Sequence, residues 1–134
     1  MQEDQRFTRG MEIRREVLGN EYVNNNLAGS DEFMMTFQRI VTELAWGYAW
    51  NGTALDKKTK SMLSIAILAA SGRFEEVEIY TRGALRTGVT LDELKEILTH
   101  VAVYCGTPAG RQSFLAAHKA LQAPEGSSSG GQLR

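Results

Sequence analysis

The chain has 134 residues, the length of one ordinary domain, and 43% of them are hydrophobic. Its 15 basic and 16 acidic residues leave a net charge of −1, which argues against a general nucleic-acid binder. The longest apolar run, around Met62 to Ala70, is too short to span a bilayer, and no basic-then-apolar export signal opens the chain. Cys105 is the lone cysteine, so an internal disulfide is excluded and a cytoplasmic setting is expected.

Helical periodicity runs through most of the sequence, and alternating strand patterns are absent, so an all-α fold of six to seven helices is expected. A first helix is predicted over Gln5 to Leu18, stopped by Gly19, and a short second one over Tyr22 to Leu27. Gly29-Ser30-Asp31 breaks the chain and caps a long helix from Glu32 to Trp50. Asp56 caps a helix running to Ala70, and another extends from Arg73 to Thr87. Thr90 and Glu93 form a capping box for a helix reaching Tyr104. Pro108 stands in the first turn of the last helix, which ends near Gln122. A helical domain is thus expected over 1–123, with a flexible Gly/Ser-rich tail over 124–134.

The faces of these helices carry further expectations. Met62 to Ala70 is apolar nearly all round, which predicts burial in a bundle or an oligomer. On the long helix, Phe33, Phe37, Ile40, Val41, Leu44 and Tyr48 are expected to face the core. Arg39, Glu43, Trp46 and Trp50 make a second stripe, read as a subunit interface or as a ligand pocket at one. On the next-to-last helix Leu91, Leu94, Ile97, Leu98, Val101 and Cys105 form the apolar face, with Cys105 expected to be buried. Glu96, His100 and Tyr104 lie off that face, one turn apart, as a polar site or as a solvated face.

Five runs in order carry a family resemblance: Gly10 to Gly19; Phe37-Gln38 with Thr42-Glu43, Trp46-Gly47 and Trp50; Leu55-Asp56 with Thr59-Lys60-Ser61 and Leu68 to Arg73; Arg82-Gly83-Ala84-Leu85 with Gly88-Val89-Thr90; and His100 to Gly106 with Pro108-Ala109. The chain resembles the carboxymuconolactone decarboxylase family, in its decarboxylase branch. The resemblance implies an AhpD-like orthogonal helical bundle assembled as a homo-oligomer, a trimer or a hexamer. It implies a cytoplasmic, cofactor-free enzyme of the 3-oxoadipate route of aromatic-compound breakdown, binding no nucleic acid, membrane or metal. The redox branch of the superfamily carries a Cys-x-x-Cys-x-x-His run where this chain has Phe74, Val77 and Tyr80, so thiol redox chemistry is excluded.

The family's reaction removes CO2 from 4-carboxymuconolactone, a small anionic lactone, and leaves electrons that flow through a C=C bond to the lactone carbonyl. Such an enzyme needs cations or N–H groups for the anion, donors for the growing oxyanion and an acid for carbon. The family's histidine before the Arg-Gly-Ala-Leu run is Tyr80 here. Tyr80, Glu76 and His100 are therefore the catalytic candidates; a buried tyrosine and solvated charges are the plainer readings. Arg14, Arg15, Glu43, Trp46, Trp50 and Tyr104 are the substrate-binding candidates. A relative acting on another carbonyl compound by isomerisation, cyclisation or dehydration, and a non-catalytic small-molecule-binding oligomer, remain alternatives.

Overall fold

A computed structural model describes residues 3–122; the expected tail over 124–134 lies outside them. Among the described residues there are seven α-helices and no strand: α1 (Glu3–Leu18), α2 (Asn20–Ala28), α3 (Glu32–Ile40), α4 (Lys57–Ala70), α5 (Phe74–Arg86), α6 (Leu91–Cys105) and α7 (Thr107–Gln122). No helix among them is long and apolar enough to cross a membrane. The capping residues do what their chemistry suggests. The Asp31 carboxylate accepts from the Met34 N–H at 3.0 Å and the Asp56 carboxylate from the Thr59 N–H at 2.8 Å. Thr90 and Glu93 exchange bonds at 3.1 and 2.9 Å in a complete capping box.

The described residues divide into two compact units, 3–55 and 56–122. In the first, α1 packs on α2 and on the segment after α3. That segment corrects the expectation of one helix to Trp50. The chain leaves α3 as a π-helix over Val41–Trp46, closed by the Gly47 N–H on the Thr42 carbonyl at 2.8 Å, and ends in a 3-10 turn over Ala49–Asn51. The inward side chains, Gln38, Thr42, Trp46 and Trp50, recur every four residues, a period that suits a locally widened helix. The stripe expected in the core is outward: Phe33 is 82% exposed and Tyr48 71%, with Phe37, Ile40 and Leu44 half exposed. Two glycines decide which face turns inward. A Cβ at Gly10 would collide with the Thr42 carbonyl oxygen and reach the Gly47 nitrogen at 2.8 Å, and a Cβ at Gly47 would collide with the Arg6 carbonyl. Backbone meets backbone there, and only glycine permits the approach.

In the second unit α5 packs on α4 and α7, and α6 on α4 and α7. Ile65, Ala84, Val89, Leu94, Leu98 and Ala117 form one core cluster, with Met62, Tyr80 and Ile97 against it. Ala69, Val77, Val101 and Ala116 form another. The helix buried nearly all round is α5, through Val77, Glu78, Ile79, Thr81, Gly83 and Ala84. Within this unit α4 is buried on one side only, turning Ser61, Ile65 and Ala69 inward and leaving Leu63 and Ile67 about half exposed, so of the two expectations for it the bundle is not met and the oligomer stays a proposal. Cys105 is exposed rather than buried. It is the last residue of α6, and Gly106 (φ 99°) turns the chain away beyond it.

The Gly10–Gly47 contact yields a direct expectation. Gly10→Ala forces α1 away from the π-helix and lowers the unfolding free energy by about 3 kcal/mol or more. Urea unfolding followed by far-UV circular dichroism measures it, and an unchanged midpoint would remove the glycine contact from its structural role.

Candidate functional site

In the unit 56–122 the sequence puts Met62 and Ala66 one turn apart on α4, and Glu93, Glu96, Ile97 and His100 on one side of α6. These side chains bound a groove of about 530 Å³, within the size range of small-molecule sites. Its walls are apolar and its polar groups sit on α6. The Glu93 carboxylate faces Lys58 at 3.0 Å. The Thr90 backbone N–H, with Lys58, holds its carboxyl below the usual carboxylate range. Glu96 and His100 are four residues apart and so share a helix face. The His100 ring is solvent-accessible and stacks on Tyr104, with centroids 5.6 Å apart and planes at 27°. Tyr104 itself is 81% exposed.

Tyr80 packs against the same core cluster as Met62 and Ile97, two residues of the groove wall. Glu76, one turn before it on α5, is half-buried. The three catalytic candidates therefore all belong to this unit, with His100 in the groove.

The opposite side of α5 holds something sequence reading passed over. Glu78 and Arg82 are one turn apart, about 160° around the helix from Glu76 and Tyr80 at ~100° per residue. Their carboxylate and guanidinium meet at 2.6 Å, with side-chain exposures of 7% and 11%. The spacing Glu78-x-x-x-Arg82 was readable as an i,i+4 pair; its burial was not, because nothing local marks α5 as enclosed on every side. Lys60, on α4, is likewise buried, and desolvation pushes its ammonium below the usual lysine range.

The unit 3–55 contains the other candidates. Arg14 is buried and donates from Nη1 to the Thr42 hydroxyl at 3.3 Å, so α1 places a guanidinium against the π-helix. Gln38, one turn before Thr42, donates to Ser30 at 3.2 Å, and Ser30 donates to the Asn26 carbonyl at 2.8 Å. Arg15 points elsewhere, to Asn20 at 3.3 Å and Asn24 at 2.8 Å, as adjacent residues on a helix must. Trp46 and Trp50 are both buried, with rings 4.8 Å apart and tilted by 31°. They pack inside the protein, which corrects their placement on a face away from the core. Glu43 is half-buried beside a cavity of about 360 Å³, with Asp4, Phe7, Thr8 and Arg39 around it. π-helical segments are frequent at functional sites, and this one carries Glu43 and Trp46 and receives Arg14.

Among the described residues the chain is thus a small helical protein with a groove that brings a histidine and carboxylates of one helix face together. Comparison with known proteins narrows the class. The sequence pattern of the carboxymuconolactone decarboxylase family matches residues 36–119. A 4-carboxymuconolactone decarboxylase of Acinetobacter baylyi is 39% identical over 114 residues, covering 85% of each chain. A nitrosuccinic acid decarboxylase of Metarhizium robertsii is 37% identical over 115 residues, covering 86% of this chain and 80% of that one. The chain belongs to the carboxymuconolactone decarboxylase family.

The buried ion pair can be tested independently of any activity. Removing one partner, in Arg82→Met or Glu78→Leu, strands a buried charge and costs about 3–5 kcal/mol, whereas the double change approaches neutrality. A double-mutant cycle in urea that shows additive losses would mean that the two groups do not act as a pair.

Proposed function

We propose that this chain is a carboxy-lyase that needs no cofactor, acting on a small polyanionic acid whose own structure accepts the electrons left by CO2. The observation that carries the reading is that two relatives of similar identity are decarboxylases of different acids. In 4-carboxymuconolactone the departing carboxylate sits on a carbon conjugated to a lactone carbonyl. In nitrosuccinic acid a carboxyl shares its carbon with a nitro group. In both molecules the C–C bond can break with its electron pair moving onto an oxygen, of an enolate or of a nitronate. CO2 leaves, and a proton must then reach carbon. An electron sink inside the substrate makes a separate cofactor unnecessary.

The groove between α4 and α6 supports the roles given to His100 and Glu96, while Tyr80 and Glu76, which do not line it, are assigned from the family resemblance. His100 is the proton donor to carbon, and Glu96, one turn earlier, is in range to orient it. Tyr80 is the hydroxyl donor to the growing oxyanion, with Glu76 beside it. Lys58, which meets Glu93 at 3.0 Å, is the cation nearest the groove's polar side. A second reading, in which the chain isomerises, cyclises or dehydrates another carbonyl compound, draws on Tyr80 at the position where the family resemblance leads one to expect a histidine.

We further propose that the protein acts as a homo-oligomer. Its support is the stripe of Phe33, Phe37, Ile40, Leu44 and Tyr48 left on the surface of the first unit, an apolar face suited to a second copy. Light scattering on the purified protein is expected to give a multiple of 14.8 kDa. Phe33→Glu combined with Phe37→Glu is expected to shift it towards a monomer, and a monomeric parent protein would overturn the proposal.

Turnover of 4-carboxymuconolactone and of nitrosuccinate, followed by CO2 release, tests the catalytic reading. Decarboxylation of at least one is expected, with His100→Gln lowering kcat by about 10²-fold or more and Tyr80→Phe lowering it with little change in KM. No CO2 from either acid, with turnover of 4-carboxymuconolactone gained in Tyr80→His, would favour the second reading.

A further inference from the structure

The flank of α6 turned away from the His100 groove carries a second concavity. At ~100° per residue, Leu91, Leu94, Lys95 and Leu98 fall on one side of α6, while Glu93, Glu96, Ile97 and His100 fall on the other. The first set faces the last turns of α7 across a cavity of about 300 Å³, closed on the α7 side by Phe114, Leu115, His118 and Leu121. Leu94 and Leu98 are core residues that form its floor. Leu91, Phe114, Leu115 and Leu121 stand at its edge, each 41–52% exposed. At their other end the two helices are in close contact, where a Cβ on Gly110 would collide with Ala102.

Charge distinguishes the two sides of α6. The His100 groove has two glutamates in its lining. This cavity has one lysine, one histidine and no carboxylate. Lys95 is only loosely engaged: its ammonium lies 3.9 Å from the Asp92 carboxylate, in a pair that is 72% and 91% exposed, which solvent screens almost fully. A hydrocarbon floor with a cation at the lip fits a ligand that has an apolar body and one anionic end.

We propose that the α6–α7 cavity is a second ligand site of the protein, taking an amphipathic monocarboxylate, with its aromatic or branched hydrocarbon body against Leu94, Leu98 and Phe114 and its carboxylate at Lys95 and His118. The site goes beyond the decarboxylase reading and does not rest on it. It shares no lining residue with the His100 groove, so the two can be filled together.

The leucines make the site directly observable. Protein labelled on its leucine methyl groups is titrated with 2-naphthoate and, separately, with the neutral 2-naphthamide. Naphthoate is expected to shift the methyls of Leu91, Leu94, Leu98, Leu115 and Leu121 saturably, with a Kd on the order of 1 mM or tighter, and to leave Leu63 unmoved. Naphthamide is expected to bind about two- to fivefold more weakly, the worth of one exposed charge contact. Lys95→Gln is expected to erase that difference, and Leu121→Glu to weaken naphthoate more than naphthamide. Three results would each overturn the proposal: no saturable shift at these five leucines, equal binding of acid and amide, or shifts that depend on protein concentration without ligand, which would give the cavity to a second copy of the chain.

Discussion

α5 is the element whose burial constrains most of the second unit. It is enclosed on nearly every side, yet it carries Glu78 and Arg82, and a buried charge is costly unless it is paired. The 2.6 Å contact between them is what lets a helix with this sequence sit where it does. With that face committed to an ion pair, the other face is left for Tyr80, which packs on the core cluster that Met62 and Ile97 of the groove wall also meet. Structural charge and candidate chemistry are thus separated by the width of one helix, with Arg82 engaged by Glu78.

The first unit solves a comparable problem with backbone rather than charge. Gly10 and Gly47 let α1 approach the π-helix until main chain meets main chain. The π-helix in turn presents Thr42 to Arg14, and Trp46 to Trp50. The interior of this short segment thus holds a guanidinium against a hydroxyl and two indoles tilted by 31°. Of the two adjacent arginines, Arg14 is the buried one, while Arg15 is held by Asn20 and Asn24.

Much of this architecture was legible in the residues. Helix ends were marked by Asp31, Asp56, Thr90 with Glu93, Gly106 and Pro108, because capping is local chemistry that depends on a few neighbouring atoms. The family resemblance rested on runs spread over the chain, and the family match over 36–119 agrees with it. The polar side chains of the α4–α6 groove were readable only as a helix face: Glu96 and His100 at turns of one helix, without the opposite wall from Met62 and Ala66. The burial of the Glu78–Arg82 pair was not legible, since a glutamate four residues before an arginine is ordinarily a solvated pair.

What the sequence determined by itself was therefore what is set within a turn or two of helix: the all-α class, most helix starts and their caps, and which residues share a face. What only the tertiary structure decided was which face of each helix turns inward. Phe33 and Tyr48 were ranked as core by their hydrophobicity, but Gln38, Thr42 and the two tryptophans went inside, because the inward face is chosen by how closely backbones can approach, and that depends on glycines in two separate segments. The same holds for α4 and α5: composition marked the first as the buried helix, and packing against α4 and α7 enclosed the second instead.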